Sequence, residues 1–137
     1  VKGRKPNLKP AANAIAKAPK PPTWLGTDAK AEWTRIMPGL IERRVLTDAD
    51  MATVENYCFA IGEIRRARKT LAKEGDTIAS AKGDIKRHPA AQTAFQALTE
   101  SRRLAAELGL TPASRNKAPT TPKKADDEDH VSDLGVG

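Results

Sequence analysis

Few side chains in this sequence have the type and spacing to make or break bonds. The histidines His88 and His130 stand far apart, and the single cysteine, Cys58, is distant from both. A metal site needs several ligands converging on one point, and His88 and Cys58 alone do not compose one. Ser114 has no base near it in sequence and lies outside any strand–turn–helix setting for a nucleophile. No glycine-rich loop has the spacing and Lys-Ser/Thr ending that cradle nucleotide phosphates. The acidic run Asp126, Asp127, Glu128 and Asp129 would hold cations only loosely. The reading is a non-enzymatic chain with no catalytic residue, no metal and no cofactor.

Positive charge is the better clue. The net charge of +7 at pH 7 favours an acidic partner such as nucleic acid. Lys2, Arg4, Lys5, Lys9, Lys17 and Lys20 fall within residues 1–26, which contain no acid, among Pro6, Pro10, Pro19, Pro21 and Pro22. Proline at that density prevents a continuous helix, so 1–26 reads as a flexible cationic arm. A second cluster, Arg65, Arg66, Arg68 and Lys69, sits in a helical stretch, with Arg43-Arg44, Lys82, Lys86, Arg87 and Arg102-Arg103 elsewhere. Such groups bind phosphates in a salt-dependent way without reading bases. They are also common as plain solvated helix faces. From Lys117 to residue 137 the chain offers little to bury and reads as a disordered tail containing the acidic run.

Helices must position these charges. Thr27 is a candidate cap for a first helix with Ala29, Trp33, Ile36, Met37 and Leu40 on one face, which Pro38-Gly39 should kink or break. Thr47, followed by Asp48 and Asp50, starts the longest helix, about 48–74, ended by Gly75. Its apolar stripe is Met51, Val54, Tyr57, Cys58, Ile61, Ile64 and Leu71. Phe59 lies nearly opposite that stripe, and either packs under the first helix or marks a subunit contact. Residues 75–87 suit a small hairpin or an irregular loop. Pro89 then opens a helix to Leu108 with Ala91, Ala94, Phe95, Leu98, Ala105 and Leu108 on one face. Gly109 to Ser114 stops it and starts another, with Thr111 as cap and Pro112 at the first helical position.

The fold class expected is all-α: a long antiparallel helical hairpin, an additional N-terminal helix, and a small β-hairpin or loop between the two long helices. The core, 27–116, is small enough for oligomerisation to be a natural supplement to its stability. One cysteine excludes an internal disulfide framework and fits a reducing compartment. No apolar run approaches the roughly 20 residues that span a bilayer, and no apolar core follows the N-terminal basic residues as in a signal peptide. The expectation is a soluble, cytoplasmic protein with no membrane partner.

The order of features resembles a known family. Pro22, Trp24 and Leu25 precede the Trp33 helix; Leu40 is followed by Arg44-Val45-Leu46-Thr47 and Asp50; Tyr57-Cys58 lies mid-helix before Gly75. His88-Pro89 and then Gly109-Leu110-Thr111-Pro112-Ala113-Ser114-Arg115 complete the series. Over roughly residues 20–116 this is similar to the small terminase subunits of tailed bacteriophages. The resemblance implies a non-enzymatic subunit that assembles into a ring in the host cytoplasm and engages double-stranded viral DNA. It further implies regulation of a large terminase subunit, the ATPase and nuclease of genome packaging. Lys2, Arg4, Lys5, Lys9, Lys17 and Lys20 are then the expected main DNA contacts, Arg65, Arg66, Arg68 and Lys69 the secondary ones, and Phe59 an oligomer contact. A small basic helical DNA-binding regulator, or an oligomeric protein-interaction scaffold, are the alternatives.

Overall fold

A computed structural model describes residues 11–116. Expectations for Lys2, Arg4, Lys5 and Lys9, and for the tail from 117 onward, lie outside the described residues. The elements run α1 (Thr27–Glu42), a 3-10 turn (Asp48–Asp50), α2 (Met51–Glu74), β1 (Thr77–Ala79), β2 (Ile85–Arg87), α3 (Pro89–Glu107) and α4 (Pro112–Asn116). The two long helices α2 and α3 pack together and α1 packs on α2, with the hairpin between the long pair. Among the described residues no helix is long and apolar enough to cross a membrane.

The helix boundaries follow from local chemistry. Gly26 caps α1, its carbonyl accepting from Lys30 N at 2.9 Å, so Thr27 is the first helical residue rather than the cap. The Asp50 carboxylate accepts from Thr47 N at 2.9 Å and Thr47 Oγ1 at 3.1 Å, closing the entry to α2. Gly75 ends α2 at φ 84°, its amide donating to Leu71 O. After α3, Leu110 N donates to Ala105 O and Gly109 N to Ala106 O, with Gly109 at φ 69°, a Schellman stop. Thr111 and Ser114 then cap α4 reciprocally: each amide donates to the other's hydroxyl, at 3.2 and 3.1 Å.

Residues 75–87 resolve into the hairpin alternative, Thr77 facing Arg87, Ile78 facing Lys86 and Ala79 facing Ile85. Asp76 O accepts from His88 N at 2.8 Å and carries the ladder to the start of α3. There His88 Nδ1 accepts from Ala90 N at 3.0 Å while Nε2 faces Glu74 Oε2 at 3.1 Å. One imidazole thus caps α3 and ties it to the last turn of α2.

Two expectations are corrected. Helix α1 does not break at Pro38-Gly39 but runs through to Glu42. Pro38 leaves the Thr34 carbonyl without its helical amide donor, and both residues lie on the exposed face of the helix. Met37 and Leu40 on the opposite face are fully buried, and their packing holds the last turn helical. Phe95, expected on the buried face of α3, is 59% exposed and lies under the Arg87 guanidinium, 4.7 Å from the ring centroid. It is one residue, about 100°, away from buried Ala94; Ser101 and Leu104 complete the buried stripe instead. Of the arm expected over 1–26, the described residues 11–26 run along the core. Ala11 N donates to Arg44 O at 3.0 Å, Ile15 N to Leu46 O at 2.8 Å, and the Trp33 indole to Pro19 O at 2.9 Å. Ile15 packs on the core and Leu25 is buried within it.

The approach of α1 to α2 depends on Gly62. A Cβ there would lie 3.1 Å from Ala29 Cβ and 3.2 Å from Ala29 N, both on the rigid first turns of α1. Nothing lies within 4 Å of a Cβ at Gly39, also helical. Gly39→Ala should therefore raise stability by up to about 1 kcal/mol through helix propensity. Gly62→Ala gains the same propensity but should lower stability by about 1–3 kcal/mol through overpacking. Thermal melts of the two variants against the parent check the opposite signs.

Candidate functional site

The deepest polar feature is a carboxylate in the core. Glu32, on the buried face of α1 between Ala29 and Trp33, is 1% exposed. Its Oε1 accepts from Arg35 Nε at 2.7 Å and Arg65 Nη2 at 3.2 Å. Its Oε2 accepts from Arg35 Nη2 at 2.6 Å and the Tyr57 hydroxyl at 2.7 Å. Burial alone would raise the Glu32 carboxyl, but the bonds from Arg35 and Tyr57 and the charges of Arg35 and Arg65 hold it below its usual range. Burial and the bond to Glu32 push the Tyr57 phenol up, and burial raises the adjacent Cys58 thiol to about 12. A buried thiol of that kind is inert packing.

This network decides what the α2 cations can do. Arg65, expected at the DNA surface, spends its guanidinium on Glu32 and on Asp28 O at 3.2 Å. Lys69 reaches Asp28 at 3.1 Å, and Arg66 pairs with Glu63 one turn away. Arg68 is exposed and forms no ion pair among the described residues. Lys17 and Lys20 are exposed on the segment that runs along the core. The structure therefore brings Arg65 and Lys69 together at the start of α1, each paired with a carboxylate, and leaves Arg68 without an ion pair among the described residues.

Phe59 does not pack under α1. It is 48% exposed and tilts against Trp24, itself 57% exposed, with ring centroids 6.0 Å apart. The pair edges a groove of about 530 Å³ walled by Ala29, Gly62, Glu63 and Arg66. On its other side Phe59 borders a second groove of about 380 Å³ between α2 and α3, lined by Asn56, Ala60, Ala97 and Glu100. The charged walls of both grooves are matched within the chain: Asp28 with Lys69, Glu63 with Arg66, and Glu100 with Arg103.

The sequence reading missed Glu32 and the weight of Trp24. The signal for Glu32 was an acid at a position that helical spacing puts among Ala29, Trp33 and Ile36, with Arg35 three residues on. Among the described residues no three His, Cys, Asp or Glu side chains gather in a way that could hold a metal.

Glu32 carries a pH-dependent contribution to stability. Its folded pKa lies below the 4.5 of a free carboxyl, so the stabilisation is present above that value and is lost as pH falls through the folded pKa. Glu32→Gln should cost about 2 kcal/mol near neutral pH, the scale of hydrogen bonds to a charged group. The gap from the parent should close as pH drops below 4.5, read from denaturant midpoints across pH.

Comparison with known proteins gives one family. The profile described as phage terminase, small subunit, matches residues 29–125, well over half of the chain. No curated protein and no solved structure matches it. The matched stretch covers the described helices from the buried face of α1 to α4. Small subunits of this kind are non-catalytic and act in recognising and packaging phage DNA. The chain belongs to the phage terminase small-subunit family.

Proposed function

We propose that this chain recognises double-stranded viral DNA as a homo-oligomeric ring in the host cytoplasm and regulates the ATPase and nuclease of the large terminase subunit. The family match carries this reading. The main DNA contacts are the basic residues of the N-terminal segment, Lys2, Arg4, Lys5, Lys9, Lys17 and Lys20. Of the α2 cluster, Arg68 is the member free to meet a phosphate, while Arg65, Arg66 and Lys69 are held by carboxylates. A ring multiplies weak arms: once one engages, the others act at high local concentration.

The Trp24–Phe59 surface supports self-association. Two exposed aromatics beside grooves whose charges are already matched suit a protein surface of similar character rather than a polyanion. Phe59 is the residue proposed to lie at the subunit contact.

Light scattering on the full chain, with and without a DNA duplex, tests this reading. The parent should run as one species of many subunits and bind the duplex in that form. Phe59→Ser, exposed in the monomer, should keep its helical content and fall to a lower mass. A parent that stays monomeric with and without DNA contradicts the ring, and a Phe59→Ser protein of unchanged mass contradicts the contact.

A further inference from the structure

A separate group of positive charge gathers where α1 and α3 finish. Arg43 and Arg44 follow α1, and Arg115 lies in α4. The Arg43 guanidinium is fixed, with Nη1 donating to Gly109 O at 2.6 Å and Nε to Gly39 O at 3.3 Å. The bond to Gly109 sets Arg43 against the turn that leads into α4, where Arg115 lies. None of the three arginines forms an ion pair among the described residues, in contrast to Arg35, Arg65, Arg66 and Arg103. Glu42, next to Arg43 in sequence, is exposed and does not pair with them.

Arg44 adds a backbone observation. It sits at φ 54°, in the left-handed region that side-chain-bearing residues seldom adopt. Its amide donates to Ile41 O and its carbonyl accepts from Ala11 N, so this strained residue anchors the N-terminal segment. Glycine would meet the same backbone demand without strain. An exposed arginine stands there instead. Residues 1–10, with Lys2, Arg4, Lys5 and Lys9, lead directly into Ala11 at this anchor, and Lys117 follows α4 directly. Basic N-terminal sequence thus joins the described chain beside arginines that form no ion pair among the described residues.

We infer that Arg43, Arg44 and Arg115 form a docking surface for the phosphate backbone of double-stranded DNA. The site rests on the DNA-recognition reading above and assigns its location on the fold. Guanidinium forks match phosphate oxygens two at a time, and neighbouring like charges gain when an anion lies between them. The exposed large apolar side chains, Trp24, Phe59, Ile78, Ile85 and Phe95, all belong to other elements, so this end lacks the anchor a protein partner would grip.

The test is the anisotropy of a labelled duplex titrated with the full chain across a range of salt. Arg44→Asn with Arg115→Gln removes two charges; Asn tolerates the left-handed backbone, and Arg43 is left in place because it holds Gly109. The control, Arg66→Gln with Arg103→Gln, removes two charges that carboxylates already match. The first pair should weaken binding on the order of tenfold near physiological salt and flatten the log–log salt slope by about 0.9 for each phosphate no longer neutralised. The control should change both far less. Equal weakening by the two pairs reduces the effect to net charge and overturns the site, as does unchanged binding by the first pair while the parent binds well. Unchanged DNA binding with loss of large-subunit binding overturns it in favour of a protein partner. A parent that shows no salt-dependent binding at all contradicts the underlying DNA reading, and the site with it.

Discussion

A carboxylate removed from water needs partners for both oxygens, and the arrangement of this fold follows from how Glu32 finds them. Arg35 grips it from the same helix, while Tyr57 and Arg65 reach it from α2. Three donors from two helices fix the rotation of α1 against α2, since a small turn of either would strand a charge in the core. Gly62 supplies the complementary condition by letting the first turn of α1 come within contact of the α2 backbone. Trp33, Ile36, Met37 and Leu40 then fill the space between α1, Val54 and Cys58, and Leu104 of α3 and Leu108 just after it close that space.

That packing sorts the chain's surplus positive charge into two kinds. Cations near the start of α1 are drawn into the network or its rim: Arg65 to Glu32, Lys69 to Asp28, Arg66 to Glu63. The groove walls left there have their charges paired within the chain, and they carry the Trp24–Phe59 pair. At the other end of α1 no carboxylate neutralises Arg43, Arg44 or Arg115 among the described residues. One molecule therefore presents an apolar, balanced face and a cationic end. The proposed self-association and DNA binding fit that separation, because phosphates and neighbouring subunits would otherwise compete for one surface.

Much of the fold was legible because its signals are local. Gly75, the His88-Pro89 entry and the Gly109-to-Ser114 stop and restart mark helix ends through backbone chemistry that needs no tertiary context. What sequence reasoning lost was decided by packing. The break expected at Pro38 did not form, because Met37 and Leu40 are worth more buried than the single amide bond the proline removes. Phe95 looked like core by residue type, but its angle on α3 sent it outward to Arg87. The basic cluster of α2 was visible as composition, whereas its neutralisation depends on Glu32 and Asp28 more than thirty residues earlier in the chain. Arg44 gave no sign in sequence of its backbone conformation or of the segment it anchors.

The central claim is that the chain meets DNA with Arg44 and Arg115 rather than with Arg65 and Arg66 of α2. Arginine-selective chemical modification of the full-length protein, read by mass spectrometry with and without a DNA duplex, addresses it residue by residue. DNA should protect Arg44 and Arg115 and leave the reactivity of Arg65 and Arg66 unchanged. Protection of Arg65 and Arg66 with Arg44 and Arg115 still reactive would contradict the account and return the DNA surface to α2.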